Sequence, residues 1–178
     1  MSIRHIAVGG LTHTTYGLIG EHIAAASILQ QGWRCAFAQM DSVDLFAWLP
    51  DSDKRFLIQV KSCQLSRTES KLHFQLGVGG VKQPDGKKKK RLPTRADFDI
   101  IALVSSEQRA CFFMPVTALK GMKITKPAAF FEQRHLESDS WAHSVGVIDE
   151  ISTKQTTLRD NRGRSRISGD SEFSPANW

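Results

Sequence analysis

The run Phe56-Leu57-Ile58-Gln59-Val60-Lys61-Ser62 decides how the rest of the chain is read. Successive side chains of a β-strand alternate between two faces, so Phe56, Ile58 and Val60 share one face while Leu57, Gln59 and Lys61 share the other. The apolar residues mark a core strand, yet an amide and an ammonium stand on one face of it. Burying both is costly unless each has a partner, so this face requires carboxylates or a bound ligand beside it. The carboxylates placed to serve it are Asp44 and Glu21, each on an otherwise apolar element upstream.

Working outward, Val43 to Leu49 alternates as a strand that is apolar on both faces except at Asp44. Pro50-Asp51-Ser52-Asp53 has turn composition, which predicts an antiparallel hairpin between this strand and Phe56–Ser62. Asp44 can instead cap the turn before it, a task open equally to Asp41. Before it, Gly17 to Gln31 has helical periodicity. Leu18, Ala25 and Leu29 lie on one stripe and Ile19, Ile23 and Ala26 on the next, which predicts a helix covered over most of its surface and ended at Gly32. Glu21 is expected near the first turn, where the helix dipole keeps a carboxylate ionised; the plainer reading is a solvated side chain. Trp33 to Gln39 reads as a short strand, and residues 1 to 16 as turns.

On the other side, Lys71 to Leu76 alternates with Leu72, Phe74 and Leu76 inward. Residues 82 to 95 then combine Lys82, Lys87, Lys88, Lys89, Lys90, Arg91 and Arg95 with two prolines, the composition of an exposed mobile loop. Phe98–Val104 and Ala110–Val116 are two further strands around a polar turn, followed by a short helix over Val116–Leu119. Residues 126–149 carry enough apolar groups for a packed extension, and 150–178 read as a disordered basic tail. The organisation expected is one domain over 1–149, with its core at 17–119.

The 178 residues, 40% hydrophobic and 24% charged, describe an ordinary globular protein. No apolar run approaches the roughly 20 residues that cross a bilayer, and the N-terminus lacks the apolar length of a secretory signal. The expected setting is therefore cytoplasmic, beside the nucleoid, with no membrane partner. Three isolated cysteines and six scattered histidines suggest neither disulfides nor zinc, and the thiols are expected to be free and buried. A net charge of +6 and a pI near 9.4 favour a polyanionic partner such as DNA.

Gathered together, Glu21 and Asp44 offer two carboxylates, Gln59 an amide oxygen and Val60 a carbonyl, a hard-oxygen set suited to Mg²⁺. Lys61, on the Gln59 face, can reach an attacking water or a scissile phosphate. The bland alternative for Gln59 is a sheet-edge hydrogen bond, for the Lys87–Arg91 run a solubilising surface, and Ser62 and Gln64 can line a DNA groove.

These residues carry a resemblance. Gly17-Leu-Ile-Gly-Glu21-His-Ile-Ala-Ala, Asp41-Ser-Val-Asp44-Leu, Ile58-Gln59-Val60-Lys61-Ser62, Asp97-Phe-Asp-Ile-Ile-Ala-Leu-Val and Cys111-Phe-Phe-Met-Pro115-Val together resemble the PD-(D/E)xK nuclease superfamily over about Gly17 to Val116. The likeness is greatest to group I intron-associated homing endonucleases and archaeal Holliday-junction resolvases; in the intron-associated branch Gln often takes the third acidic position. The resemblance implies a restriction-endonuclease-like α/β fold, a mixed central sheet flanked by helices. It also implies cleavage of DNA with Mg²⁺, with Mn²⁺ as a substitute, by a homodimer or homotetramer. The site would be Glu21, Asp44, Gln59 and Lys61. Val43 stands where the motif has Pro, and Gln59 leaves two carboxylates rather than three. The other readings are a structure-selective resolvase or repair nuclease, and a DNA-binding accessory protein that keeps the fold without turnover.

Overall fold

The computed structural model describes residues 13–40, 42–63, 70–82 and 88–164. In chain order they form α1 (His13–Gln30), β1 (Arg34–Met40), β2 (Val43–Trp48), β3 (Arg55–Cys63), β4 (Lys71–Gln75), β5 (Val78–Lys82), β6 (Lys88–Arg91), β7 (Ile100–Ser105) and β8 (Ala110–Pro115). A 3-10 turn (Val116–Ala118), β9 (Lys123–Pro127), a second 3-10 turn (Ala128–Glu132) and α2 (Leu136–Arg164) complete the order.

β3 is the middle strand of a five-stranded sheet ordered β1-β2-β3-β7-β8. β1 and β2 pair antiparallel, as do β2 and β3, and β7 and β8; β3 and β7 run parallel, from Ile58 opposite Ile100 to Cys63 opposite Ser105. The sheet is therefore mixed, as expected. β7 reads Ile-Ile-Ala-Leu-Val-Ser and is buried at every position, the pattern of a strand covered on both faces.

Both helices cover one face. Phe56, Ile58 and Val60 of β3 pack there with Ala24 and Ile28 of α1 and with Trp141 and Ile148 of α2. Trp33, Phe113 and Trp141 meet with ring centroids 5.0–5.3 Å apart, so truncating Trp141 removes about 3–5 kcal/mol of core packing. The opposite face is closed by a ribbon of β4 paired with β9, whose Leu72 and Phe74 pack on Ile101 and Leu103.

Four expectations are corrected. Residues 88–91 are not part of a loop but form β6, paired with β5 from Val78 opposite Arg91 to Lys82 opposite Lys88; backbone pairing and the buried Val78 at its end fix a strand that has no apolar pattern of its own. Residues 151–164, expected in the tail, continue α2. Trp141, Ser144, Val145 and Ile148 seat its first half at helical spacing, and the remainder propagates from that anchor. The outer face of α1 is uncovered: Leu18, Ile19 and Leu29 are exposed, as are Phe37 and Met40 on β1. Cys111 is buried as expected, but Cys35 and Cys63 are only half-buried. The expected turns at 1–12, Gln64, Lys87 and residues 165–178 lie outside the described residues. No helix among the described residues is long and apolar enough to cross a membrane.

Candidate functional site

β2 and β3 pair from Trp48 opposite Arg55 to Leu45 opposite Ile58 and then part, with Asp44 and Gln59 at the next register position. Where a ladder stops, the next backbone N–H needs another acceptor. Asp44 supplies it. Its Oδ2 accepts the Val60 N–H at 2.6 Å and also accepts from Gln59 Nε2. The carboxylate is thereby fixed in the fork between the strands, held by the two residues that follow Ile58.

Gln59 is 5% exposed, so its amide had to be partnered. Its Nε2 faces Asp44 and lies 3.3 Å from the Val60 carbonyl oxygen. The nitrogen rather than the oxygen faces Asp44 because a carboxylate accepts and does not donate; a half-turn of the terminal amide exchanges the two ends. Lys61 is half-buried on β3. Burial pushes its ammonium below the ordinary range, the Asp44 charge opposes that shift, and the Lys90 charge adds to it. Lys90 of the basic hairpin is thus within electrostatic reach of Lys61.

Glu21 joins these three from α1, although not as expected. The helix begins at His13, so Glu21 lies more than two turns inside it, and the first turn holds no acidic residue. The dipole effect has faded there, and the carboxyl is raised above its usual range, first by burial and then by repulsion from Asp44, with His22 opposing. Two carboxylates that repel across a fork with an amide and a backbone carbonyl beside them are a donor set of hard oxygens. That chemistry suits a divalent cation such as Mg²⁺ and not a thiolate- or imidazole-seeking one. Among the described residues no cluster of three His, Cys, Asp or Glu side chains is placed to hold a metal, so a cation at the fork would have to draw on Gln59 and Val60 as well.

Of the basic residues singled out in the sequence, Lys90 acts on Lys61 through its charge. Arg91 is committed to Asp97 through two hydrogen bonds of 2.7 and 2.5 Å, and Arg95 reaches Asp99 and Ser152, each at 3.3 Å. These two arginines fasten the segment before β7 rather than standing free. Lys82, Lys88 and Lys89 lie on the hairpin strands, and their side chains, like Lys87, lie outside the described residues.

Three residues bear on the site in roles the sequence did not assign to them. Asp99 secures β3 from the β7 side, its Oδ2 accepting the Leu57 N–H at 3.0 Å and its own N–H donating to the Leu57 carbonyl at 2.8 Å. The Ser62 Oγ donates to the Tyr16 carbonyl of α1 at 3.0 Å. Gly20 lies against it so closely that a Cβ there would meet Ser62 Cβ at 2.5 Å. A glycine within an Ala- and Ile-rich helix, one residue before a candidate carboxylate, was the available signal for this close approach.

No protein-family model and no curated protein matches the sequence. Among solved structures, the chain is similar to a bacterial homing endonuclease, I-Ssp6803I, with a TM-score of 0.60 and 18% identity over 82% of this chain and 99% of that one. The chain has that endonuclease's fold. In this frame the mixed sheet carries Asp44, Gln59 and Lys61 on adjacent central strands, and α1 places Glu21 within reach of the Asp44 charge.

Proposed function

We propose that the chain is a Mg²⁺-dependent DNA endonuclease of the homing-endonuclease type, hydrolysing phosphodiester bonds at the fork between β2 and β3. The observation that carries this reading is Asp44 bound to the Val60 N–H and the Gln59 amide, with Lys61 next in line, on a fold similar to a homing endonuclease. Asp44 and Glu21, with the Gln59 amide oxygen and the Val60 carbonyl, would hold the ion; Mn²⁺ fits the same donors. Bound there, it would supply charge neutralisation at the phosphate and a water made nucleophilic near neutral pH.

The protein's own part is positional and electrostatic. Asp44 enters the site already oriented by two hydrogen bonds, which removes the entropy of arranging it. The Lys61 Nζ, half-buried beside that carboxylate, presents a fixed positive charge to the scissile phosphate and a hydrogen bond to the attacking water. Lys90 extends the positive field along the backbone of the DNA. Cutting both strands of a duplex needs two such sites, which favours a homodimer or homotetramer. The exposed apolar residues of α1 and β1 give a second copy a surface to bury.

Purified protein incubated with supercoiled plasmid, linear duplex and a four-way junction, with Mg²⁺ or with EDTA, tests the reading. Cleavage that needs Mg²⁺ and disappears in Lys61→Ala supports it. Preference for the junction selects a resolvase, and binding without cutting on all three substrates selects the accessory reading.

A further inference from the structure

We infer that Ser62 and Gly20 are positioning residues: their contact is the spacer that sets how far the α1 carboxylate stands from the β3 lysine. The inference rests on the proposed metal-dependent site and deepens it. Ser62 follows Lys61 on β3, and Gly20 precedes Glu21 on α1. Their contact therefore sits one residue from a candidate catalytic group on each element. Tyr16 and Gly20 are one turn apart on the same face of the helix, and that face rests on Ser62 through a hydrogen bond at Tyr16 and direct packing at Gly20.

The spacing has no slack on the helix side. A Cβ at position 20 would lie 2.5 Å from Ser62 Cβ and 3.0 Å from its Oγ, and neither atom is the end of a long side chain that can swing away. Adding one methyl group there must push α1 off β3. Glu21 moves with the helix, while Asp44 and Lys61, held by β2 and β3, stay. Displacements of about 1 Å at a catalytic constellation cost on the order of 100-fold in rate.

The test compares wild type, Gly20→Ala, Ser62→Val, Ser62→Gly and the double variant Gly20→Ala/Ser62→Gly. Three readouts are taken on each: Mn²⁺ binding by calorimetry without DNA, kcat and KM for plasmid cleavage, and the melting temperature. Gly20→Ala and Ser62→Val, which push on the contact from opposite sides, should each weaken Mn²⁺ binding by about tenfold and lower kcat by about 100-fold, with KM for DNA unchanged. In the double variant the added methyl fills the space Ser62 gives up, and both quantities should return to within about threefold of Ser62→Gly alone. A purely structural contact would lower the melting temperature and leave kcat per folded molecule and Mn²⁺ affinity intact, which overturns the positioning role. So does a loss in Gly20→Ala that removal of the Ser62 side chain fails to relieve. If wild type itself neither binds Mn²⁺ nor cuts, the nuclease reading fails and takes this inference with it.

Discussion

At the scale of single residues, Asp44 has two separable duties. It accepts the Val60 N–H that the parting of β2 from β3 would otherwise strand, and it carries one of the negative charges the proposed chemistry needs. Asp44→Asn keeps an acceptor oxygen and removes the charge, so it should unfold within a few tenths of a kcal/mol of wild type. Asp44→Ala leaves the N–H without its partner and should cost about 1–3 kcal/mol in urea denaturation. Asp97 offers a second residue-scale test. Its hydrogen bonds from Arg91 hold the carboxyl down to about 2, against the opposing effect of burial and with the Thr94 N–H helping. A carboxyl with a depressed folded-state value contributes stability above its unfolded value near 3.9 and loses that contribution as pH falls through the folded one. Urea midpoints should therefore drop between about pH 4 and about pH 2 in wild type, and Asp97→Asn should remove that part of the slope.

At the scale of elements, the hairpin of β5 and β6 and the edge of β8 carry distinct expectations. Lys90→Ala removes one cation beside the fork, so the dependence of log affinity on log salt should become shallower by about one unit, as a fluorescence titration would read it. β8 is an edge strand whose outward N–H groups are capped by side chains of α2: Cys111 N–H by Glu137 at 2.8 Å and Phe113 N–H by Ser140 at 3.1 Å. Ser140→Ala strands a buried donor and should cost about 1–3 kcal/mol, read by chemical denaturation, with a rise in aggregation from the bared edge. The same elements explain what was legible in the sequence. β2, β3, β7 and β8 declare themselves because burial on alternate or on all positions dictates their residues. β6 and β9 do not: Lys88–Arg91 has no apolar residue and Lys123–Pro127 buries none fully, so each is fixed by backbone pairing, β6 with the neighbouring β5 and β9 with the distant β4. α2 beyond Ile151 is helical, although its composition, rich in Ser, Thr, Asn and Arg, reads as tail. The start of α1 was hidden in His13-Thr-Thr-Tyr16, residues of middling helix preference, and this misplaced Glu21 relative to the helix end. Asp44, Gln59 and Lys61 were readable because each is a polar residue where the strand pattern calls for an apolar one. The Ser62–Gly20 contact was not, since a close approach of two small residues has no periodic signature and leaves only a lone glycine in an Ala- and Ile-rich helix as its mark.

At the scale of the whole molecule, both helices lie on one face of a mixed sheet, the β4–β9 ribbon on the other, and the fork opens between two central strands with α1 across it. That arrangement delivers groups from α1, β2 and β3 to one place, which no single element does. The direct measurement is the initial rate of supercoiled plasmid nicking by wild type, Asp44→Asn and Lys61→Met at fixed Mg²⁺, each checked for native circular dichroism. The expected result is Mg²⁺-dependent nicking by wild type that EDTA abolishes, and a loss of about 1,000-fold or more in both folded variants. Nicking by either folded variant at the wild-type rate, or by wild type in EDTA, would contradict the assignment of chemistry to this fork.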